Sequence, residues 1–319
     1  MTLGMEASPT PDVSVLVVAY HSAPFIAHCL RGIAEGARET PYEVLLIDNG
    51  GGDTETVVRA EFPGVRIVPS AGNVGFGAGN NRCAAHARAP LLLLVNPDAI
   101  PQPGAIDKLV AFAKAHPEAA AWGGRSYFPD GTLDHANFLA LPTVRDFVVS
   151  IVDSSPMRRG GLAADAKGPG PVDVLNGGFM MVSAAAWAEI GGFDESFFLY
   201  SEEIDLFQRL KARGYPVLVD PAVGVVHDTG GGHSLSPTRV LFLTTGRMHY
   251  ARKHFGRIGA LITGCALWVN AAKYTILGSI LARLSRRSPS RWAELRAAWE
   301  LVYRKPQRWW RGWEGHISG

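Results

Sequence analysis

A carboxylate and an amide follow directly on a run of five apolar residues in this sequence. The run is Leu91–Val95, and Asn96, Pro97 and Asp98 come next. Five consecutive apolar residues are typical of a strand buried on both faces, and because proline cannot continue such a strand, Asp98 is expected at its carboxyl end. Ligands bind at that edge of open α/β sheets. The oxygen ligands suit Mg²⁺ or Mn²⁺; the alternative is an ordinary turn in which Asp98 caps the next helix.

Three acidic residues crowd the start of a later segment. The spacing of the apolar residues between Ser201 and Arg213 predicts a helix with one buried face, and Ser201 is a candidate N-cap. Glu202, Glu203 and Asp205 would then lie in the first turn. They could simply complement the helix dipole, or one of them could act as a general base beside the aromatic residues that precede the helix.

Residues 72–81 form a glycine-rich segment that only superficially resembles a dinucleotide-binding fingerprint. The spacing fails because the sixth position from Gly75 is Asn80, and the segment follows the third predicted strand instead of the first. The glycines allow the backbone to approach a ligand closely, and Asn80 and Asn81 would open the helix that follows. The alternative is an ordinary tight junction between a loop and a helix.

Two further features could contribute to a site. Gly177 and Gly178 interrupt an apolar strand, which indicates either a bulge or the close approach of a substrate. His227 directly follows a predicted strand and precedes a triple glycine, so it is a candidate metal ligand or phosphate contact, although a single histidine is usually structural. Residues 153–171 are rich in small residues and proline, and we expect a linker or a lid there.

The apolar periodicity predicts strands that alternate with helices, and hence βαβ units with a mostly parallel sheet. The predicted strands are 13–19, 43–47, 65–68, 91–95, 119–122, 174–182, 215–219 and 223–226. The predicted helices are 22–36, 54–61, 80–88, 103–116 and 201–213.

The composition excludes a disordered chain, because 47% of the 319 residues are hydrophobic and 19% are charged. Three scattered cysteines fit neither a disulfide framework nor a metal site, which indicates a reducing compartment. The first dozen residues contain no apolar segment typical of a signal peptide. The net charge is +2, but from Arg283 onwards nine basic and three acidic residues give +6, against −4 for the remainder. This asymmetry predicts a tail that meets an anionic surface.

The tail begins with a strongly apolar stretch, residues 258–282. Lys273 in its middle would cost about 2.5–3.5 kcal/mol in a membrane-spanning helix, so helices that lie in the membrane interface are the favoured prediction. Tryptophan combined with arginine is typical of such an anchor. The alternative packs these aromatic residues on the preceding domain or in a dimer, and nothing else indicates nucleic-acid binding. Five tryptophans lie in the basic part of the tail, from Arg283 onwards: Trp292, Trp299, Trp309, Trp310 and Trp313.

Taken together, the motifs resemble family 2 glycosyltransferases of the GT-A fold, with the rhamnosyltransferase-like branch the nearest match. The resemblance covers roughly residues 13–235, and its motifs occur in the family's order. They are Val17–Ser22, Asp48–Gly50, Asn73–Gly77, Asn96–Asp98, Gly191–Glu195, Glu202–Leu206 and His227.

The resemblance implies a donor site for a nucleotide-sugar. Tyr20 would lie near the base, and Asp48 would accept a hydrogen bond from the imide N–H. Asp98 would bind Mg²⁺ or Mn²⁺ directly, with His227 as the second protein ligand. The donor-binding residues implied in this way are Tyr20, Asp48, Asn73, Gly75, Gly77, Asn81, Asn96 and Asp98.

The resemblance also implies an acceptor side and a base. Glu203 matches the position of the family's catalytic base, which is usually Asp, and the longer side chain leaves Glu202 and Asp205 as alternatives. Gly177, Gly178 and Glu202 would face the acceptor. The family inverts the anomeric centre in a single displacement, so the base would take a proton from the attacking hydroxyl.

The function that we expect from the sequence is the transfer of a sugar, rhamnose from dTDP-rhamnose in the first instance, to a glycan or polyprenyl-linked acceptor of the cell envelope. Alternatives are a UDP- or GDP-sugar donor, a GT-A protein without turnover, and a nucleotidyltransferase. The domain is expected at 12–235, with a nucleotide-sugar half to about residue 98 and an acceptor half from 99. A helical, membrane-associating extension, 236–319, would place the protein on the cytoplasmic face of the membrane. A homodimer is left open.

Overall fold

The computed structural model describes residues 10–134, 138–153, 166–227, 236–284 and 291–313. The glycines 230–232 and most of the expected lid or linker, 153–171, lie outside this range. The strands are β1 Val13–Ala19, β2 Tyr42–Asp48, β3 Arg66–Val68, β4 Leu91–Val95, β5 Ala99–Pro101, β6 Ala121–Tyr127, β7 Phe138–Leu139, β8 Gly170–Pro171, β9 Val174–Leu175, β10 Phe179–Ser183 and β11 Val217–His227. The helices are α1 Ile26–Gly36, α2 Asp53–Glu61, α3 Phe76–Ala85, α4 Ala105–Ala115, α5 Val144–Val149, α6 Ala184–Ile190, α7 Glu202–Ala212, α8 Pro237–His254, α9 Gly256–Leu284 and α10 Arg291–Arg304.

One large sheet organises the first part of the chain. Its strand order is β3-β2-β1-β4-β10-β6-β11-β5, and β8 pairs with β11. The four strands from β3 to β4 are parallel, as the sequence predicts for the nucleotide-sugar half. The other half is mixed: β10 runs antiparallel to both β4 and β6, and β11 runs parallel to β6. Helices cover both faces, so the expected α/β architecture is confirmed.

The alternation of side chains along the strands builds a core on each face of the sheet. In β1, Val13, Val15 and Val17 pack on one face with residues of α1 and α4. Leu16, which points the other way, packs with residues of α6 and α7 on the opposite face. Every residue of β4 is buried, as expected for a strand covered on both faces.

Two predictions about helix starts are wrong. Helix α1 begins at Ile26, and the Ser22 hydroxyl bonds the carbonyl of Tyr20 instead of capping the helix. Helix α3 begins at Phe76 and not at Asn80. Its N-cap residue is Gly75, whose positive φ turns the chain into the helix.

Two capping expectations also change. Ser201 does precede α7, but its backbone is left-handed and its hydroxyl makes no capping bond. Asp98 does not cap the next helix, because β5 intervenes and Gly104 occupies the N-cap position of α4. The turn itself is present, since the N–H of Ala99 donates to the carbonyl of Asn96 at 3.0 Å, but the helix-capping role of Asp98 is wrong.

The three C-terminal helices pack on one another and on the sheet domain. Their shared core contains Phe147 from α5, Leu267 from α9, Val302 from α10 and Trp309. A smaller core joins Trp313 to Phe197, which precedes α7. Trp309 and Trp313 are 0% and 3% exposed, so these two tryptophans follow the packing alternative and are unavailable to a membrane.

Candidate active site

The site is built around a strand register. Antiparallel pairing of β5 with β11 sets His227 opposite Ala99 and therefore beside Asp98. The Nε2 atom of His227 lies 3.2 Å from Oδ1 of Asp98 and 3.4 Å from Nδ2 of Asn96. The structure thus brings His227 to Asn96 and Asp98, from which the sequence separates it by 131 and 129 positions.

Gly178 makes room for the ring of His227. A Cβ atom at position 178 would lie 2.5 Å from Cε1 of His227, which real contacts do not allow. The carbonyl of Gly178 accepts the backbone N–H of Asn96 at 3.0 Å, so the same glycine holds both residues. A Cβ at Gly177 would meet the ring of Phe76 at 3.1 Å. The close approach that these glycines permit is therefore to side chains of the protein itself.

The predicted nucleotide end lies at the carboxyl ends of β1 and β2. Tyr20 is 56% exposed, so its ring is free to stack on a base. Asp48 is buried; one carboxylate oxygen accepts the N–H of Gly50 at 2.7 Å and the other the N–H of Glu55 at 2.9 Å. These bonds fix the carboxylate, and each oxygen retains a second lone pair for a ligand.

The loop that precedes α3 is shaped by internal contacts. Asn73 accepts the N–H of Gly75 in a local turn. A Cβ at Gly75 would lie 2.2 Å from the carbonyl oxygen of Phe198, and one at Gly77 would lie 3.0 Å from Phe193. The loop is therefore pressed against the segment that leads into α7, which couples the donor loop to the predicted base.

Asn81 holds the neighbouring segment in place. Its amide donates to the carbonyl of Phe193 at 2.9 Å and to Glu195 at 3.0 Å, and its side-chain oxygen accepts the N–H of Phe193 at 2.9 Å. In the structure Asn81 thus positions the acceptor-side loop, although the resemblance implies a donor contact. Sequence reasoning missed Asn49, whose amide donates to the carbonyl of Gly75 at 3.1 Å. Its place directly after Asp48 at a strand end was the available signal.

Glu202 and Glu203 form a poorly solvated pair at the start of α7. One oxygen of each carboxylate is buried without a hydrogen-bond partner. Burial, together with the charge of Glu203, raises the pKa of Glu202 well above its usual range. Burial also raises the pKa of Glu203, although the N–H groups of Glu203 and Ser201 donate to its carboxylate. A carboxylate with a raised pKa and a free oxygen is suited to accept a proton.

Asp205, the third acid, is in a different environment. Its carboxylate is bonded by Arg209 at 2.7 Å, Lys253 at 2.7 Å and His254 at 2.8 Å. Burial alone would raise the pKa of Asp205, but these bonds offset burial and lower it. A carboxylate bonded by Arg209, Lys253 and His254 is a poor base, so Asp205 serves to attach α8 to α7.

The residues that lead into α7 have unusual backbone conformations. Tyr200 and Ser201 both have positive φ values, 67° and 73°. Outside glycine such conformations cost of the order of 1–3 kcal/mol each and cluster at functional sites. Helix α8 presses on them: a Cβ at Gly246 would lie 2.2 Å from the carbonyl oxygen of Tyr200.

The Asp98–His227 pair fits a divalent cation. Two ligands held about 2.1 Å from an octahedral ion and at right angles lie about 3 Å apart, close to the 3.2 Å observed here. Among the residues that the structure describes, no group of three or more His, Cys, Asp or Glu side chains could hold an ion. The protein would therefore supply two ligands and leave the other positions to water and substrate.

The fold is that of the GT-A glycosyltransferases. The family model for glycosyl transferase family 2 matches residues 14–154. The match covers this segment, and the chain as a whole is rhamnosyltransferase-like.

The chain is 28% identical over 296 residues to the N-acetylglucosaminyl-diphospho-decaprenol L-rhamnosyltransferase of Mycobacterium tuberculosis; the match covers 86% of this chain and 92% of the relative. It is 25% identical over 228 residues to a rhamnosyltransferase of Escherichia coli; the match covers 67% of this chain and 83% of the relative. A mannosyltransferase from Pyrobaculum calidifontis, solved with GDP-Man and Mn²⁺, superposes with a TM-score of 0.55 at 18% identity and covers 93% and 88%. The likeness to this last protein shows the fold alone.

We predict that Glu202→Gln stabilises the protein at pH 7–8. The raised pKa means that Glu202 favours folding below its unfolded pKa of about 4.3 and loses this contribution as the pH rises through the folded pKa. The amide removes the buried charge, so we expect a gain of about 1 kcal/mol that disappears near pH 4. Chemical unfolding of wild type and variant at pH 8 and at pH 4 measures this difference in the free energy of unfolding. The exposed control Glu39→Gln should show no difference, and a destabilised Glu202→Gln at pH 8 would contradict the assignment.

Proposed function

We propose that the protein transfers a sugar, with rhamnose from dTDP-rhamnose as the first choice, onto a lipid-linked acceptor in cell-envelope glycan synthesis. The main observation in support is that His227 contacts Asn96 and Asp98. These contacts lie at the edge of the sheet where Asp48 and Tyr20 are also found. The choice of donor and acceptor is supported by the names of the relatives, one of which acts on a diphospho-decaprenol substrate. UDP- and GDP-sugars are the alternative donors.

Glu203 is the proposed general base. Its unpartnered oxygen would take the proton of the acceptor hydroxyl as that oxygen attacks the anomeric carbon and the bond to the donor diphosphate breaks. One displacement of this kind inverts the anomeric centre. The two N–H groups that bond its carboxylate fix its orientation, and its raised pKa suits proton acceptance near neutral pH.

Asp98 and His227 would hold Mg²⁺ or Mn²⁺, and Asn96 would orient His227. When bound, the ion offsets the negative charge that develops on the leaving diphosphate. The proposal draws on the spacing of the pair and on the Mn²⁺ in the solved mannosyltransferase. Tyr20 and Asp48 would bind the base of the donor, and the Asn73–Gly77 loop would close over the nucleotide.

The C-terminal helices are the proposed membrane-docking region, with the sheet domain at 12–235. Among the described residues, α9 is the one helix long and apolar enough to cross a membrane. Between residues 258 and 282, every exposed side chain is apolar. This set, the α9 stripe, consists of Ile258, Leu261, Ile262, Cys265, Trp268, Val269, Ile276, Leu277 and Ile280.

The packing of α9 favours a position in the plane of the membrane over a span. Its other face is tied to the protein: Asn270 donates to the Ser150 hydroxyl at 3.0 Å, and Lys273 donates to the carbonyl of Ile151 at 2.6 Å. Lys273 is thus satisfied inside the protein and need not enter lipid. Exposed arginines 257 and 283 bound the stripe, so anionic lipid headgroups suit both ends. The expected location is the cytoplasmic face of the membrane.

We expect Glu203→Gln to lower the rate of sugar transfer by about 10²–10⁴-fold while nucleotide binding stays nearly intact, because an amide cannot accept the proton. Transfer from dTDP-rhamnose to a short-chain lipid diphosphate acceptor measures the rate. Glu203→Asp, which restores the family's usual residue, should retain most of the activity. Full turnover by Glu203→Gln would refute its role.

We expect Asp98→Ala to abolish the metal-dependent part of donor binding. A thermal-shift panel of dTDP, UDP and GDP, each with Mn²⁺, Mg²⁺ or EDTA, also identifies the base. A ligand at a hundred times its dissociation constant should add about 2.7 kcal/mol of stability. The comparison variant Tyr20→Ala should weaken binding with and without metal. An equal Mn²⁺ dependence in wild type and Asp98→Ala would exclude the proposed ligand.

For the α9 stripe, the prediction concerns Leu261→Glu combined with Ile276→Glu. The two charges should reduce binding to phosphatidylglycerol vesicles at least tenfold in co-sedimentation, because each must leave the apolar interface. Tyr42→Glu, an exposed aromatic position on another part of the sheet domain, is the control and should bind as wild type does. If the double variant binds vesicles normally but splits a dimer in size-exclusion chromatography, the stripe contacts a second copy instead.

A further inference from the structure

Arg247 on α8 faces a cavity beside the start of α7. The cavity has a volume of about 60 Å³. A single water needs roughly 10–15 Å³, so the space admits a group larger than one water, of about the size of a phosphate. Its other lining residues come from α5, α7, α8 and the segment before α5; they are Ala140, Pro142, Phe147, Ser201, Ile204 and Tyr250.

The guanidinium of Arg247 has no hydrogen-bond or ion-pair partner among the residues that the structure describes. This differs from the neighbouring cations Arg209 and Lys253, which both pair with Asp205. Burial lowers the pKa of Arg247, yet an arginine keeps its charge in proteins. Arg247 is only partly buried, and none of its nitrogen atoms is both fully buried and unpaired, so an anion that enters the cavity could reach the guanidinium.

Ser201 offers a second polar group to the same cavity. Its side chain is 94% buried, lines the cavity and makes no hydrogen bond among the described residues. Ser201 also immediately precedes α7, an eleven-residue helix, whose N-terminus carries partial positive charge. A hydroxyl donor and a guanidinium therefore line one space.

The remaining ionisable groups around the cavity do not fill this role. The hydroxyl of Tyr250 donates to Gln208 at 3.3 Å, and Asp205 is already bonded by Arg209, Lys253 and His254. Glu202 and Glu203 follow Ser201, but neither pairs with Arg247. Arg247 is therefore left for a ligand.

We propose that Arg247 and Ser201 form a phosphate subsite for the acceptor, and that it holds one phosphate of a lipid diphosphate. This rests on the proposed function, since it places the acceptor beside Glu203. Phe147, which closes the cavity, belongs to α5, and α5 packs against α9 behind the α9 stripe. A diphosphate at Arg247 would thus lie between the membrane-facing helix and the base, and its sugar would reach Glu203.

The first test is calorimetric binding of geranyl diphosphate to the full chain in EDTA, which keeps a metal-bound diphosphate out of the Asp98–His227 pair. We expect Arg247→Met to weaken binding at least tenfold and Arg247→Lys to be intermediate. Arg38→Met, an exposed arginine elsewhere, is the matched control and should bind as wild type does. Geraniol should not bind, and inorganic pyrophosphate should bind more weakly than geranyl diphosphate.

The second test separates ligand binding from a structural role. If Arg247 is reserved for a ligand, Arg247→Met removes an uncompensated charge and should unfold at the same or a higher temperature. The same variant should keep the Mn²⁺-dependent nucleotide shift of wild type. If wild type shows no Mn²⁺-dependent nucleotide shift, the proposed function is refuted. The binding of geranyl diphosphate at Arg247 would be unaffected by that result.

Three results would overturn the subsite. They are unchanged geranyl diphosphate binding in Arg247→Met, a large drop in its unfolding temperature, and pyrophosphate binding as tight as that of geranyl diphosphate. The last result would assign the cavity to free phosphate.

Discussion

The pairing of β5 with β11 is the constraint on which the site depends. Asp98 and His227 are far apart in the chain, and only the register that sets His227 against Ala99 joins them. A slip of one residue would turn the histidine to the other face of the sheet. This register requires glycine at position 178, since any side chain there would displace the ring of His227. The three-residue strand β5 and one glycine thus set the position of His227 beside Asp98.

The three acids at the start of α7 show how one turn of helix produces different chemistry. Bonds from Arg209, Lys253 and His254 lower the pKa of Asp205, whereas burial raises the pKa values of Glu202 and Glu203. The three acids share one turn of helix, so their different surroundings separate their pKa values. Lys253 and His254 come from α8, which connects Asp205 to the C-terminal helices.

Local pattern predicted much of this molecule. Apolar runs located β1 and β4 to the residue, because buried strands leave a direct record in hydrophobicity. Helix starts were less accessible: Ser22 and Ser201 are good capping residues by type, but tertiary contacts set their backbones. The role of Asn81 was also beyond reach, since its partners lie about 112 positions away. Arg247 left no pattern in the sequence, because only the fold shows that it has no ion-pair partner among the residues that the structure describes.

The burial of Trp313 has a consequence for how the enzyme comes into being. Its ring packs against Phe198 and Phe242, so one of the last described residues supports the segment that enters α7. During synthesis the sheet can form long before this tryptophan leaves the ribosome. In the nascent chain the nucleotide-sugar half would then be folded before the segment that enters α7 has its packing partner. The segment that enters α7 would therefore gain its full support only after Trp313 has emerged, later than α8, α9 and α10.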